Sequence, residues 1–387
     1  MKKDSDFVLI LIMCLMAASS VGLSMNCPGV FYTPVSQALG VGKGTLSLYS
    51  TIGSITTGVA TMVLPRILTE KNFKKVLITG MMCNILAIFM MSFSARVWHF
   101  YGLAVLMGAG NSCFSTVIIT IIINSLIHEN LGTKTGLVLS FSGVGGAVFN
   151  PILASVIENH GWRIGYRVMA AIMLLLCMPS MIYPIRYISS RKTDKQKRRS
   201  LVDGFMVKVF IAVIFLQLVP ALGQHMIGIG TGKGLHSSSA AYMTSACMLA
   251  NLSFKLLAGT LADRIGTKKT IAIMASVNII GDFRLLFGTD IAVLLVGAFL
   301  YGAVYSISAL LISMMCMDLY GGERYREAYP VVSFVSTSVY AMCISVVGFM
   351  YDFSGSYTLP ISIATSFMAI HAVLAFSLYR TKAKQTA

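Results

Sequence analysis

Apolar stretches about twenty residues long, separated by short polar ones, recur along the whole chain, and each is long enough to cross a bilayer's hydrocarbon core as a helix. Six fall in the first half, at approximately Phe7 to Met25, Leu46 to Leu64, Lys75 to Ala95, Trp98 to Ser125, Thr135 to Ile157 and Ile164 to Tyr183. Six more follow, at Phe205 to Ile227, Ala240 to Ala258, Lys269 to Phe287, Ile291 to Met315, Val331 to Met350 and Thr358 to Tyr379. The first, after the basic start Lys2-Lys3, has the outline of a signal peptide, but eleven similar stretches come after it, so it is read as a retained helix. The pattern predicts an all-α membrane protein of twelve transmembrane helices.

The long polar interruption is Ser189 to Asp203 (SSRKTDKQKRRSLVD). It divides the chain into an N-terminal six-helix half (1–188), a basic linker (189–203) and a C-terminal six-helix half (204–387). The halves repeat. PRILTEKNFKKV from Pro65 lies between helices two and three, and GTLADRIGTKKT from Gly259 lies between helices eight and nine, 194 residues later. His160-Gly161-Trp162 and Ser354-Gly355-Ser356 are separated by the same 194. Two pseudo-symmetric six-helix repeats are the expected mark of a transporter whose site lies between them near the bilayer midplane.

Composition narrows the classes. The chain is 56% hydrophobic and 11% charged, against about 25% charged in soluble domains, which excludes a soluble multidomain enzyme. The net charge of +16 is a loop bias and no sign of a nucleic-acid partner. With the N-terminus cytoplasmic, 23 Lys and Arg fall at cytoplasmic ends and loops. Six (Lys43, Arg96, Arg163, Arg167, Lys233, Arg284) lie outside, and Lys255 lies within helix eight. That asymmetry predicts a multi-pass protein of the cytoplasmic (inner) membrane with both termini inside. The basic linker reads as a topology determinant, with contact to anionic lipid the lesser reading. The eight cysteines lack paired spacing and read as small core residues. No phosphate-binding Gly-Lys loop, metal cluster or nucleophile constellation stands out, so the expectation is a non-enzyme without cofactor or metal.

Ionisable and polar groups inside the helices are the candidate site. Lys255 is foremost, either as an anion-binding cation or as a side chain one turn from the cytoplasmic helix end that snorkels to the interface. Asn251, one turn before it, either orients an anion or bonds a neighbouring helix. His225, at the end of helix seven near Pro220 and Gly223, is a candidate outer gate or titrating site, or simply an exposed histidine. Gln217, Asn111, Ser115, Asn150, Tyr340 and His371 are mid-span hydrogen-bonding groups that serve as helix contacts or as ligands. Tyr32, Tyr49 and Tyr305 are mostly core in character but are candidates to line a cavity. Every carboxylate falls in a loop or near a helix end, with Asp282 and Arg284 expected as a local pair or interfacial anchors. On that reading no mid-membrane carboxylate carries a proton.

Gly259-Thr-Leu-Ala-Asp263-Arg264-Ile-Gly266-Thr-Lys268-Lys269 resembles the G-x-L-A-D-R-x-G-x-K-K loop of the major facilitator superfamily. In it Gly259 permits close helix contact, Asp263 accepts from helix amides or a basic partner, and Gly266 allows a tight turn. Arg264 and Lys268 hold the loop at the cytoplasmic surface. The first-half copy has Thr69 and Asn72 at the Asp and second Gly positions, so any latch there should be weaker.

Three further places resemble the monocarboxylate transporter and oxalate:formate antiporter group. Gly29-Val-Phe-Tyr32-Thr-Pro34 with Ser47-Leu-Tyr-Ser50 looks like its first external loop. Gly136 through Gly143-Val-Gly145-Gly146, Asn150-Pro151 and Gly161-Trp162-Arg163 looks like its helix five and the following loop. Asn251-Leu-Ser-Phe-Lys255-Leu-Leu-Ala-Gly259 stands where monocarboxylate transporters carry D-x-x-x-R-x-x-x-G. Here Asn and Lys replace Asp and Arg, helix eleven lacks the lysine of oxalate antiporters, and the acidic, Trp-containing start of animal monocarboxylate transporters is absent.

The resemblance implies a secondary transporter of a small organic anion, a monocarboxylate, working by alternating access as an exchanger or proton symporter. Lys255 would attract the carboxylate, and Asn251, Asn111, Gln217, His225 and Tyr340 would complete its surroundings. Its partners would be that anion, the lipid bilayer and a proton or counter-anion, with the chain a monomer. Proton-driven efflux of drugs or larger amphipathic anions, and a sensor that keeps the fold without transport, are the competing readings.

Overall fold

The computed structural model describes residues 2–126, 131–183 and 204–386. The linker expected at 189–203 lies outside them. The chain forms two compact units, Met1–Thr193 and Asp194–Ala387.

The first unit contains α1 (Lys2–Ala17), which continues as a π-helical stretch Ala18–Leu23, then α2 (Gly29–Leu39), α3 (Lys43–Ile67) and α4 (Phe73–Met91). It is completed by α5 (Val97–Ser112), α6 (Thr116–Leu126), α7 (Leu131–His160) and α8 (Trp162–Ile182). Helix α3 packs on α5, α4 on α5 and α8, and α7 on α1 and its π-helical continuation. The second unit contains α9 (Gly204–Ala221), a 3-10 turn Leu222–His225, α10 (Met226–Gly232), α11 (Ser237–Ile265) and α12 (Thr267–Phe287). Then come α13 (Ile291–Tyr301), α14 (Val304–Ser306), a π-helical stretch Ile307–Leu311, α15 (Ile312–Tyr320), α16 (Gly322–Ser354) and α17 (Thr358–Thr386). Here α9 packs on α16 and α17, and α12 on α13 and α17.

Ten helical stretches of the described residues are long and apolar enough to cross a membrane, and Phe7–Leu23 is a shorter apolar one. The remaining predicted span, helix two, is α3. Eleven of its 25 residues are Gly, Ser or Thr, which lowers its hydropathy below that of the ten but lets a neighbour approach closely: Thr57 Oγ1 lies 3.1 Å from Gly108 O of α5.

In a soluble helix the buried stripe stands out by its apolarity, but here both faces are apolar and polarity marks the packed side. On α4 the buried positions Leu77, Gly80, Met81, Asn84, Ile85 and Ile88 recur at helical spacing, while Met82, Leu86 and Phe89 are exposed. The 194-residue repeat extends to hydrogen bonds at this stripe. Asn84 Nδ2 donates to Met107 O at 2.8 Å, and Asn278 Nδ2 donates to Tyr301 O at 3.0 Å. Both the asparagines and their acceptors are 194 apart. Gly161 and Gly355, another such pair, follow the last residues of α7 and α16 with φ of 82° and 70°.

Two expectations need correction. The segment from Gly29 to Pro34, expected as an external loop, is helical in α2, because Val30, Phe31, Tyr32 and Val35 bury one side of it. Helix eight, expected to stop at Ala258, runs on to Ile265 in α11. It ends where Gly266 takes φ 85°, a conformation that side chains avoid.

Candidate functional site

The polar groups of the second unit gather around the break in its first span. Helix α9 carries Pro220 in its last turn and passes into the 3-10 turn Leu222–His225. The side of this segment that faces α16 carries a polar seam. Gln217 Nε2 donates to Ser336 Oγ at 2.7 Å, and Gln224 Nε2 donates to the Tyr340 hydroxyl at 3.4 Å. His225 Nε2 lies 2.9 Å from Ile344 O. The acceptors Ser336, Tyr340 and Ile344 are four residues apart on one helix face. A carbonyl only accepts, so Nε2 of His225 carries hydrogen, and Nδ1 faces the Tyr357 hydroxyl at 3.3 Å. His225 is 1% exposed, so the exposed end-of-helix histidine among the expectations is corrected: the ring is clamped between α16 and Tyr357.

Tyrosines close in from the other side. Tyr301 donates from its hydroxyl to Val219 O at 2.5 Å. The Tyr305 hydroxyl presses on the backbone at Gly223, where a β-carbon would collide with it, and also lies against the Cys247 thiol. Tyr305 therefore belongs to the surroundings of this break. Tyr32 and Tyr49, by contrast, are buried in an aromatic core of the first unit: the Tyr32 hydroxyl donates to Ser50 Oγ at 2.8 Å, and Tyr166 to Tyr49 at 3.4 Å.

Cys247, Asn251 and Lys255 follow one another at i, i+4 and i+8 along α11, so one face leads from Tyr305 to the lysine. Asn251 Oδ1 is buried without a hydrogen-bond partner among the described residues. Lys255 is half-buried. Its expected place, one turn from the helix end, is corrected: with α11 ending at Ile265 it lies ten residues, about 15 Å, inside. Asn111 belongs to α5 of the first unit, 3% exposed, and its Oδ1 too lacks a partner among the described residues. The other mid-span groups bond to carbonyls: Asn150 donates to Gly146 O of its own helix, Ser115 to Ser112 O, and His371 Nδ1 lies 2.8 Å from Ala212 O of α9.

The signature loop differs in detail from expectation. Gly266 makes the turn, its N–H donating to Ala262 O at 2.9 Å, and the Lys268 ammonium lies 4.7 Å from the centre of the Phe376 ring. Gly259 is not at a close helix contact, since a β-carbon there would meet only the Leu310 side chain at 3.8 Å. Asp263 and Arg264 are exposed, so the acceptor role expected of Asp263 has no structural counterpart among the described residues. In the first-half copy, Thr69 N–H donates to Asn72 Oδ1 at 2.7 Å and Asn72 N–H to Thr69 Oγ1 at 3.3 Å, a reciprocal cap in place of Asp and Gly.

Asp282 overturns the expectation that no carboxylate is buried in a span. It is 0% exposed, and its Oδ2 is 3.2 Å from Thr365 Oγ1 of α17. Arg284, two residues on, is exposed, because side chains two apart on a helix point to opposite sides. They form no pair. Lys233, just past α10, instead holds the end of α12, its ammonium donating to Leu286 O at 2.9 Å and Gly288 O at 2.8 Å. Burial pulls it below the usual lysine range.

Comparison with known proteins agrees with this architecture. The Major Facilitator Superfamily profile matches residues 13–233. The uncharacterized MFS-type transporter YcxA of Bacillus subtilis (strain 168) is 20% identical over 380 residues, 92% of this chain and 91% of YcxA. An uncharacterized 38 kDa protein in the 23S RNA operon of Thermoproteus tenax is 27% identical over 257 residues, 64% of this chain and 63% of that protein. A point mutant of the nucleoside transporter NupG superimposes with a TM-score of 0.74 at 16% identity, over 96% of this chain and 99% of NupG. A bacterial homolog of the human lysosomal transporter Spinster, inward-facing and occupied, gives 0.72 at 12% identity over 97% of both chains.

Proposed function

Because the chain belongs to the major facilitator superfamily, and is therefore a multi-pass membrane transporter, we propose that its substrate is a small organic anion, a monocarboxylate, moved by alternating access across the cytoplasmic membrane. The observation that carries this reading is Lys255: a half-buried residue ten residues inside α11, on one helix face with Asn251, whose side-chain NH2 can donate to a carboxylate. A cation inside a span is costly to keep, and an entering carboxylate relieves that cost. Asn251 adds a hydrogen-bonding amide one turn away. Gln217, His225 and Tyr340 serve as the polar wall behind it, already bonded within their own unit. Both termini face the cytoplasm, the chain acts as a monomer, and a counter-anion or proton accompanies the substrate.

Proton-driven efflux of drugs or larger amphipathic anions is the second reading, favoured by buried Asp282, a carboxyl of the kind such transport uses. Uptake of radiolabelled formate, lactate, pyruvate and oxalate into proteoliposomes, with nucleosides and a hydrophobic cation as controls, separates the two. Monocarboxylate flux that depends on Lys255 supports the first. Hydrophobic-cation flux indifferent to Lys255→Ala supports the second.

A further inference from the structure

We propose that Asp282 is a proton-binding site, holding a hydrogen that it donates to Thr365 across the contact between α12 and α17. Thr365 Oγ1 is 2.8 Å from Ile361 O, the ordinary i to i−4 contact of a helical threonine, and 3.2 Å from Asp282 Oδ2. A hydroxyl carries one hydrogen, and both Ile361 O and a carboxylate can only accept. With the Thr365 hydrogen on Ile361 O, the second contact is a hydrogen bond only when the carboxyl supplies the hydrogen. Asp282 Oδ1 is buried with no partner among the described residues, as suits the carbonyl oxygen of a neutral acid better than half of a carboxylate.

Among the described residues, no positive charge faces the group. From α13 comes Tyr301, its hydroxyl spent on Val219 O, with Cys247 of α11, Tyr305 of α14 and Tyr340 of α16 lying on the far side against the tyrosines. From α17 comes Thr365 itself, while His371 of that helix turns to Ala212 of α9. Cys316 and Asp318 of α15 sit with Tyr379 beside Thr267, at the other end of α12. On α12, Arg284 points outward, and the neighbouring Lys233 ammonium is committed to the carbonyls of Leu286 and Gly288.

Packing does not require an acid here. The residue 194 positions earlier is Ile88 of α4, 1% exposed, and the repeated asparagine contact one turn before it is made equally well in both units. The second unit therefore carries a carboxyl where the first manages with isoleucine. Releasing the proton would leave an unpaired carboxylate in a dry contact, so ionisation requires α12 and α17 to part and admit water. The proton thereby favours the closed contact, a link between pH and the second unit that goes beyond the substrate reading and does not depend on it.

The test uses the purified full chain in detergent. A folded state that holds one proton more than the unfolded chain loses stability as pH rises. From about pH 6 to about pH 9, the thermal midpoint of the wild type should therefore fall more steeply than those of Asp282→Asn and Asp282→Ile, the latter copying the first unit. Infrared difference spectra should show a protonated-carboxyl carbonyl band at neutral pH that is absent in Asp282→Asn and shifted in Thr365→Val. Parallel pH profiles for wild type and variants, or no carboxyl band lost in Asp282→Asn, would overturn the proposal. A midpoint raised by sodium over choline in the wild type alone would overturn it in favour of a metal-cation site.

Discussion

Asn84 and Asn278 each brace a helix pair inside their own unit, lending the side-chain amide to a backbone carbonyl of the neighbouring helix. Removing such a donor strands a buried carbonyl, so Asn84→Ala and Asn278→Ala should each cost about 1–3 kcal/mol. Midpoint shifts in detergent are the check, with Asn159→Ala, whose exposed side chain bonds within its own helix, as a near-silent control. His225 is more constrained still. Both ring nitrogens have partners inside the fold, so His225→Ala should lower stability by about 2 kcal/mol without moving the pH profile of flux. A flux profile that loses a step near neutral pH in that variant would restore His225 as a titrating gate. The seam it belongs to was half visible in the sequence: Gln217, His225 and Tyr340 stand out as polar groups in apolar helices. Their partners Ser336 and Ile344 O carry no such mark, because a serine and a backbone carbonyl look alike everywhere.

At the scale of elements, spans were legible and breaks were not. Hydropathy places the spans because lipid demands long apolar helices, but it is blind to side. That is why Asp282 reads as a terminal anchor when it is a buried group, and why Arg284 reads as its partner. The end of α11 likewise depends on one backbone angle. Gly266 at φ 85° should tolerate no β-branched residue, and Gly266→Val should cost about 1–3 kcal/mol and slow any transport that uses this loop. Lys233 closes the far end of α12, and Lys233→Met should loosen that end by about 1 kcal/mol, seen as faster amide exchange at Leu286 and Phe287 with the rest of α12 unchanged. Uniform exchange along α12 would deny it a capping role.

At the scale of the whole molecule, the repeat of 194 residues is the most informative signal the chain offers. It pairs loops, positive-φ glycines and a buried asparagine contact inside one unit with their counterparts inside the other. What the repeat leaves unmatched is where the units have diverged: Thr61 stands opposite Lys255, Thr57 opposite Asn251, and Ile88 opposite Asp282. On the proposed reading, substrate and coupling chemistry belong to those asymmetric positions. The substrate itself is not legible from fold likeness, because transporters of different cargo share this fold. The direct measurement is counter-anion-stimulated uptake of labelled monocarboxylates in proteoliposomes bearing wild type or Lys255→Ala at matched protein density. Uptake should be saturable in the wild type and fall about tenfold or more in the variant if Lys255 binds the carboxylate. Uptake unchanged by Lys255→Ala would remove Lys255 from the substrate site.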